Sequence, residues 1–173
     1  MAQDELYEEL AARKAKALQM GGEAKLAERR NSGIMNARER LDYLLDADSF
    51  KETGLLTFSI RPETRGKSPA DGKISGFGRI DGRPVSLVAN DFTVLGASSS
   101  QINMKKMRHM KRVAATQGMP LVLLGESSGG RMPDRMGAQG RSTIGQDAYE
   151  YRRLRESPWV SALMGDCYVA ATG

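Results

Sequence analysis

Apolar positions near the start of the chain follow a helical spacing and then give way to strand-like runs. Across residues 2–30, rich in Ala, Glu, Lys, Arg and Leu, the side chains of Leu6, Leu10 and Leu18 recur on one helical face until Gly21 and Gly22 interrupt it. Two helical pieces are predicted there. Over residues 36–46, Asn36 reads as an N-cap with Glu39 three positions later, and Leu41, Leu44 and Leu45 share a face. Residues 1–46 therefore read as a helical arm. From Phe50 the pattern changes. Asp71-Gly72 and Asp81-Gly82 are turn signals, and the segments 73–80 and 84–91 read as a hairpin closing at Asp81-Gly82, behind a polar loop over 61–70. Gly76-Phe77-Gly78 lacks the third glycine of a dinucleotide fingerprint and leads into a hairpin rather than a helix, so that reading is rejected.

The segment 98–100, all serine, can cap a helix that runs to about Gln117 and stops at Gly118. Met107, Met110 and Ala114 mark its inner side and Met104 fills the core beside them, while Lys105, Lys106, Arg108, His109, Lys111 and Arg112 crowd the rest. Residues 120–124 form a short, wholly apolar run, the mark of a strand covered on both faces. A second such run, 159–164, ends at Gly165, after a polar, glycine-rich and partly helical connection over 127–157. A strand, a connection and another strand predict an α/β class with a parallel component.

Composition narrows this picture. The chain of 173 residues is 40% hydrophobic and 27% charged, ordinary for a globular domain. No apolar run nears the roughly 20 residues that span a bilayer, and the acidic start is unlike a targeting peptide, so no membrane partner and a cytoplasmic location are expected. Cys167 is the sole cysteine, which excludes an intrachain disulfide and leaves a cysteine-based zinc site short of ligands. The net charge of +5 and pI near 9.5 favour anionic partners such as phosphates. Nucleic acid is not expected, since no finger, RNP-type or basic-zipper pattern occurs and aromatics are few.

The strongest local chemistry lies at residues 124–130, where an apolar strand stops in serine and glycine and leaves backbone N–H groups able to face an anion. Gly125-Glu126-Ser127-Ser128-Gly129 matches the G-x-S-x-G elbow of a serine hydrolase with Ser127 as nucleophile. That fold needs a later histidine, and the only one, His109, comes earlier. The same turn can instead hold a thioester enolate, which requires converging N–H groups and no nucleophile. A purely structural glycine turn is the third reading.

Four ordered blocks bear on the choice: residues 36–50 (NARERLDYLLDADSF), 71–98 (DGKISGFGRIDGRPVSLVANDFTVLGAS), 127–134 (SSGGRMPD) and 157–173 (SPWVSALMGDCYVAATG). They resemble the carboxyltransferase β subunit of biotin-dependent acyl-CoA carboxylases, propionyl-CoA carboxylase type, over nearly all of the chain from about Arg30. The resemblance implies an α/β, crotonase-like ββα spiral, with residues 47–173 as the first part of an N-terminal carboxyltransferase domain that continues beyond Gly173. It also implies an acyl-CoA substrate, carboxybiotin presented by a biotin carboxylase or carrier subunit, and a dimer-based homo-oligomer, up to a hexamer. The 173-residue piece alone would be inactive.

Carried over by position, Gly129, Gly130 and Arg131 would supply one set of oxyanion donors, and Ala170 and Ala171, within 165–171, a second. Gly96, Ala97, Ser98, Lys105 and Lys106 would lie near coenzyme A. Two departures stand out: Val169-Ala170 replaces the family's paired glycines, and Arg131 stands where the family has alanine, its guanidinium able to reach a carboxylate or phosphate. A decarboxylase relative would use the same site in reverse. An assembly module, gripping a partner through residues 4–30, is the non-enzymatic alternative.

Overall fold

The computed structural model of the chain describes residues 3–136 and 157–168. Helices α1 (Gln3–Leu18), α2 (Glu23–Asn31) and α3 (Ala37–Leu44) lead into strand β1 (Lys51–Thr53) and a short helix α4 (Pro62–Arg65). Strands β2 (Lys73–Ile80) and β3 (Arg83–Asn90) follow, then helix α5 (Gln101–Gln117), strand β4 (Leu121–Ser127), the single turn α6 (Met132–Arg135) and strand β5 (Trp159–Cys167). The sheet runs in sequence order, β1-β2-β3-β4-β5. β1, β2 and β3 pair antiparallel, and β3-β4 and β4-β5 pair parallel. Among the described residues no helix is long and apolar enough to cross a membrane.

The local signals explain these elements. Asp81 and Gly82 both take positive φ, 49° and 74°, the geometry of a tight hairpin turn. Asp46 accepts from both turn N–H groups, at 3.0 and 2.8 Å. Asn36 and Glu39 form the expected capping box at α3, and Ser100 caps α5, which Gly118 ends in a left-handed conformation. The predicted loop over 61–70 is more ordered than its composition suggests. Besides α4, its buried Ser68 hydroxyl accepts from Ser59 N–H at 2.9 Å.

Period-two alternation splits the sheet's apolar side chains between two covers. Ile74, Val85, Leu87, Ala89 and Leu124 pack with Leu41 and Leu45 of the arm. Val88, Leu121 and Leu123 pack with Met107, Met110 and Ala114 of α5. Of the basic residues that crowd the rest of α5, Lys106 and Lys111 are buried, because the helix is covered on more than its methionine stripe. Lys111 Nζ lies 5.7 Å from the centroid of the Trp159 ring.

One charged cluster fastens the arm to the sheet. Glu126, buried near the end of β4, accepts from Arg29 of α2 through both oxygens, at 3.0 and 2.8 Å, and from Arg40 of α3 at 2.8 Å. β5 passes close by at Gly165, where a Cβ would come within 2.9 Å of the Glu126 carboxyl. Breaking a buried ion pair from one side leaves the other charges uncompensated. Glu126→Leu is expected to cost about 3–5 kcal/mol in urea denaturation; a loss under about 1 kcal/mol, the scale of an exposed pair, would contradict this account.

Candidate active site

β4 delivers the chain to the turn at 127–131. Ser127 is fully buried; its hydroxyl donates to Ala97 O at 3.2 Å and accepts from Gly129 N–H at 3.1 Å. It belongs to the frame of the turn. Ser127 is also not among the residues with positive φ, so the strained backbone of a nucleophile elbow is missing. His109, the one histidine of the chain, lies exposed on α5 beside Arg112.

Gly129 has φ 102°, a conformation open to glycine and costly for other residues. The turn is held against residues 96–100 by three backbone bonds: Ser128 N–H to Gly96 O at 2.8 Å, Ser99 N–H to Gly129 O at 2.7 Å, and Arg131 N–H to Ser99 O at 2.9 Å. Of the two N–H groups singled out from the sequence, that of Arg131 is therefore engaged. The N–H of Gly130 has no acceptor among the described residues, and Gly130 is exposed.

The segment behind the turn is unusual. Leu95, Gly96 and Ala97 take φ of 50°, 61° and 49° in succession, and Ala70, Asp71 and Gly72 take 48°, 49° and 69°. Non-glycine residues in this region cost roughly 1–2 kcal/mol each, and such strain persists where surrounding contacts over-determine it. The two left-handed stretches abut: a Cβ on Gly72 would lie 2.9 Å from Val94 O and 3.5 Å from Ala97 Cα.

The structure turns two predicted side chains inward. The Arg131 guanidinium, able by its chemistry to reach a carboxylate or a phosphate, is buried and reaches a carboxylate of the chain itself, donating to Asp71 Oδ1 at 2.6 Å, to Ser98 Oγ at 3.2 Å and to Ser98 O at 3.4 Å. Lys106 donates to Gly54 O at 3.1 Å, Ala70 O at 3.0 Å and Lys73 O, so its ammonium serves the fold in this conformation. Lys105 is exposed. Ala170 and Ala171, the second expected donor set, and Val169 lie outside the described residues, as does most of the connection over 127–157.

Sequence reasoning missed the arm's part in this site. A cleft of about 390 Å³ is lined by Lys25, Glu28, Arg29, Ser32, Ile34, Phe92, Thr93 and Gly96. Lys25 donates to Thr93 O at 2.9 Å, and the Arg29 guanidinium lies 5.9 Å from the centroid of the Phe92 ring. Gly96 joins cleft to turn: a Cβ there would meet Ser128 Oγ at 2.5 Å. The signal was present as two cations four residues apart on α2, one helical face, but nothing in the sequence said which surface that face meets.

Three buried titratable groups lie behind the turn. Burial lowers Lys73, fully enclosed with one bond to Asn90 Oδ1 at 2.7 Å, to about 7, and the cations Lys106 and Lys111 push the same way. Burial lowers Lys106 to about 8. Burial raises the Asp134 carboxyl, Asp71 pushes the same way, and Arg131 and the backbone N–H of Gln101 pull it back.

Comparison with known proteins places the architecture. Transcarboxylase 12S, solved as a hexamer with methylmalonyl-coenzyme A and methylmalonic acid bound, superposes with a TM-score of 0.74 at 32% identity, over 82% of this chain and 28% of that one. A single-chain, multi-domain long-chain acyl-CoA carboxylase gives 0.76 at 29% identity, over 93% and 17%. The fold is that of the crotonase-like carboxyltransferases. The chain belongs to the carboxyl transferase domain family, whose model matches residues 28–172. Similar proteins include the propionyl-CoA carboxylase carboxyltransferase subunit of Haloferax mediterranei, 34% identical over 96% of this chain and 33% of that protein. Another is the methylmalonyl-CoA decarboxylase subunit alpha of Veillonella parvula, 32% identical over 94% and 31%. The chain thus spans about a third of the length of these relatives.

The lysine assignments carry a pH signature. Because the folded pKa of Lys73, about 7, lies below its ordinary 10.5, the unfolded chain binds more protons in that window and stability rises with pH across it. Lys106 adds to the rise between about 8 and 10.5. In Lys73→Met the denaturation midpoint is expected to climb less steeply from pH 7 to 10 than in the parent; an unchanged slope would contradict the assignment.

Proposed function

We propose that the protein transfers a carboxyl group between carboxybiotin and the α-carbon of an acyl-CoA, with the thioester oxygen received by Gly130 N–H. The observation that carries this reading is the N–H of exposed Gly130, without an acceptor among the described residues, at the end of a buried strand and next to a cleft lined by Lys25, Arg29 and Glu28. Coenzyme A would lie along that cleft, its phosphates drawn by Lys25 and Arg29 and its thioester passing Gly96 towards the turn. Ala97 and Ser98 shape the wall through backbone, and exposed Lys105 remains available to a phosphate. When the α-proton leaves, negative charge gathers on the thioester oxygen. A preorganised donor aimed there contributes about 10²–10³ in rate, and here the Gly129 conformation and the bonds of 96–99 fix its direction.

Biotin, held on a carrier domain or subunit, supplies the carboxyl group and a ring nitrogen that accepts the α-proton. The surface suits a flat, uncharged ring, since Gly129 and Gly130 present no side chain and exposed Tyr168 borders them. This chain then has orientation and charge stabilisation to supply, not a base or a nucleophile. Ala170 and Ala171 would provide the donors for a companion oxyanion. A homo-oligomer is proposed from the likeness to transcarboxylase 12S, which is a hexamer. A methylmalonyl-CoA decarboxylase subunit among those relatives favours one second reading, decarboxylation through the same enolate.

Calorimetry with propionyl-CoA on the whole protein, beside a biotin-dependent carboxylation assay, tests the proposal. Saturable binding is expected, weakened about tenfold by Lys25→Glu as one charge-assisted contact is reversed. Ser127→Ala should keep activity within about tenfold, whereas a serine nucleophile would lose about 10⁶. Absence of binding by any short acyl-CoA would overturn the reading.

A further inference from the structure

We propose that the Arg131–Asp71 ion pair is the positioning device of the oxyanion turn, acting on catalysis by fixing where Gly130 N–H points; this rests on the function proposed above. Arg131 follows Gly130 directly, and both its backbone and its side chain are committed to residues 98–99. Its N–H reaches Ser99 O at 2.9 Å, and its Nε and Nη2 reach the hydroxyl and carbonyl of Ser98 at 3.2 and 3.4 Å. Its Nη1 reaches Asp71 Oδ1 at 2.6 Å. One residue therefore fastens the far side of the donor peptide to the strip that also bonds Ser128 and Gly129.

Asp71 makes the attachment specific. It is fully buried in the left-handed stretch 70–72, and its second oxygen accepts from Ser100 Oγ, the N-cap hydroxyl of α5. Asn103, on the first turn of α5, donates through one amide nitrogen to Asp71 O at 3.2 Å and Ser98 O at 2.8 Å. The carboxylate thus joins three segments: the strained stretch 70–72, the cap of α5, and the residue that follows the donor glycine. Without the guanidinium, Asp71 would be left as an uncompensated buried charge, and beyond the Ser127 hydroxyl at its start the turn would keep only backbone bonds across Gly129 and Gly130. A glycine pair with no side-chain anchor has wide conformational freedom.

The effect should appear in turnover rather than affinity, since the cleft cations Lys25 and Arg29 lie on α2 and are held by Thr93 O and Glu126 rather than by the pair. In the whole protein with its biotin donor, Arg131→Met is expected to lower kcat about 100-fold, the scale of an ångström-sized misplacement, with KM for acyl-CoA within about threefold. Arg131→Lys keeps the charge without the fork and should recover at least part of kcat. Ser98→Ala, which removes the Nε acceptor together with the hydroxyl's bond to Leu95 O at 2.7 Å and leaves the ion pair, gives a milder variant of the same kind should Arg131→Met not fold. Backbone hydrogen exchange adds a readout independent of activity: amides of 129–131 should exchange faster in Arg131→Met and Asp71→Asn, with core strand β3 unchanged in Arg131→Lys. Retention of kcat within about threefold in Arg131→Met, or an equal rise in KM and fall in kcat, would overturn the proposal. If the parent protein shows no acyl-CoA turnover, the proposed function fails; exchange then decides the positioning role, and unchanged protection at 129–131 overturns it.

Discussion

Two carboxylates, Glu126 and Asp71, are buried with the guanidinium groups that neutralise them, and the placement of everything near the end of β4 follows from those pairs. A charge in the interior is tolerable only when its partner is held in place. Glu126 holds α2 and α3 against the strand through Arg29 and Arg40, which brings Lys25 and Arg29 to the rim of the cleft. Asp71 holds Arg131 and the cap of α5, which brings the strip 96–100 against the turn. The arm therefore lines the cleft as well as supporting the fold.

This division of labour suits chemistry that needs orientation and little else. The turn contributes an N–H and the cleft contributes cations; no described side chain at the turn is arranged as a nucleophile. Ser127, which a motif search would choose, is locked between Ala97 O and Gly129 N–H. Its fixed hydroxyl keeps the glycine turn in shape. The left-handed stretches at 70–72 and 95–97 point the same way, since strain of this kind collects where a backbone group must be aimed.

Much of the fold was legible because its signals are local. Asp81-Gly82 specifies a hairpin turn, Ser100 and Gly118 start and stop α5, and the apolar run before Gly125 marks a covered strand. β5 was seen only to Met164, because Gly165 reads as a stop; the strand continues to Cys167 since glycine is what lets it pass the Glu126 carboxyl. The directions of charged side chains were not legible. Lys106 and Arg131 find acceptors contributed by residues 33 to 60 positions away in sequence, and no spacing rule announces such partners. Positive φ at Ala70, Leu95 and Ala97 was equally hidden, because these residue types give no sign of it.

The central claim is that Gly130 N–H receives the thioester oxygen. A crystal structure of the whole protein bound to a CoA derivative mimicking the thioester enolate tests it most directly. The account predicts the anionic oxygen about 2.7–3.1 Å from Gly130 N, with the CoA phosphates beside Lys25 and Arg29. An oxygen seated away from Gly130, or a CoA lying outside the α2 cleft, would contradict it.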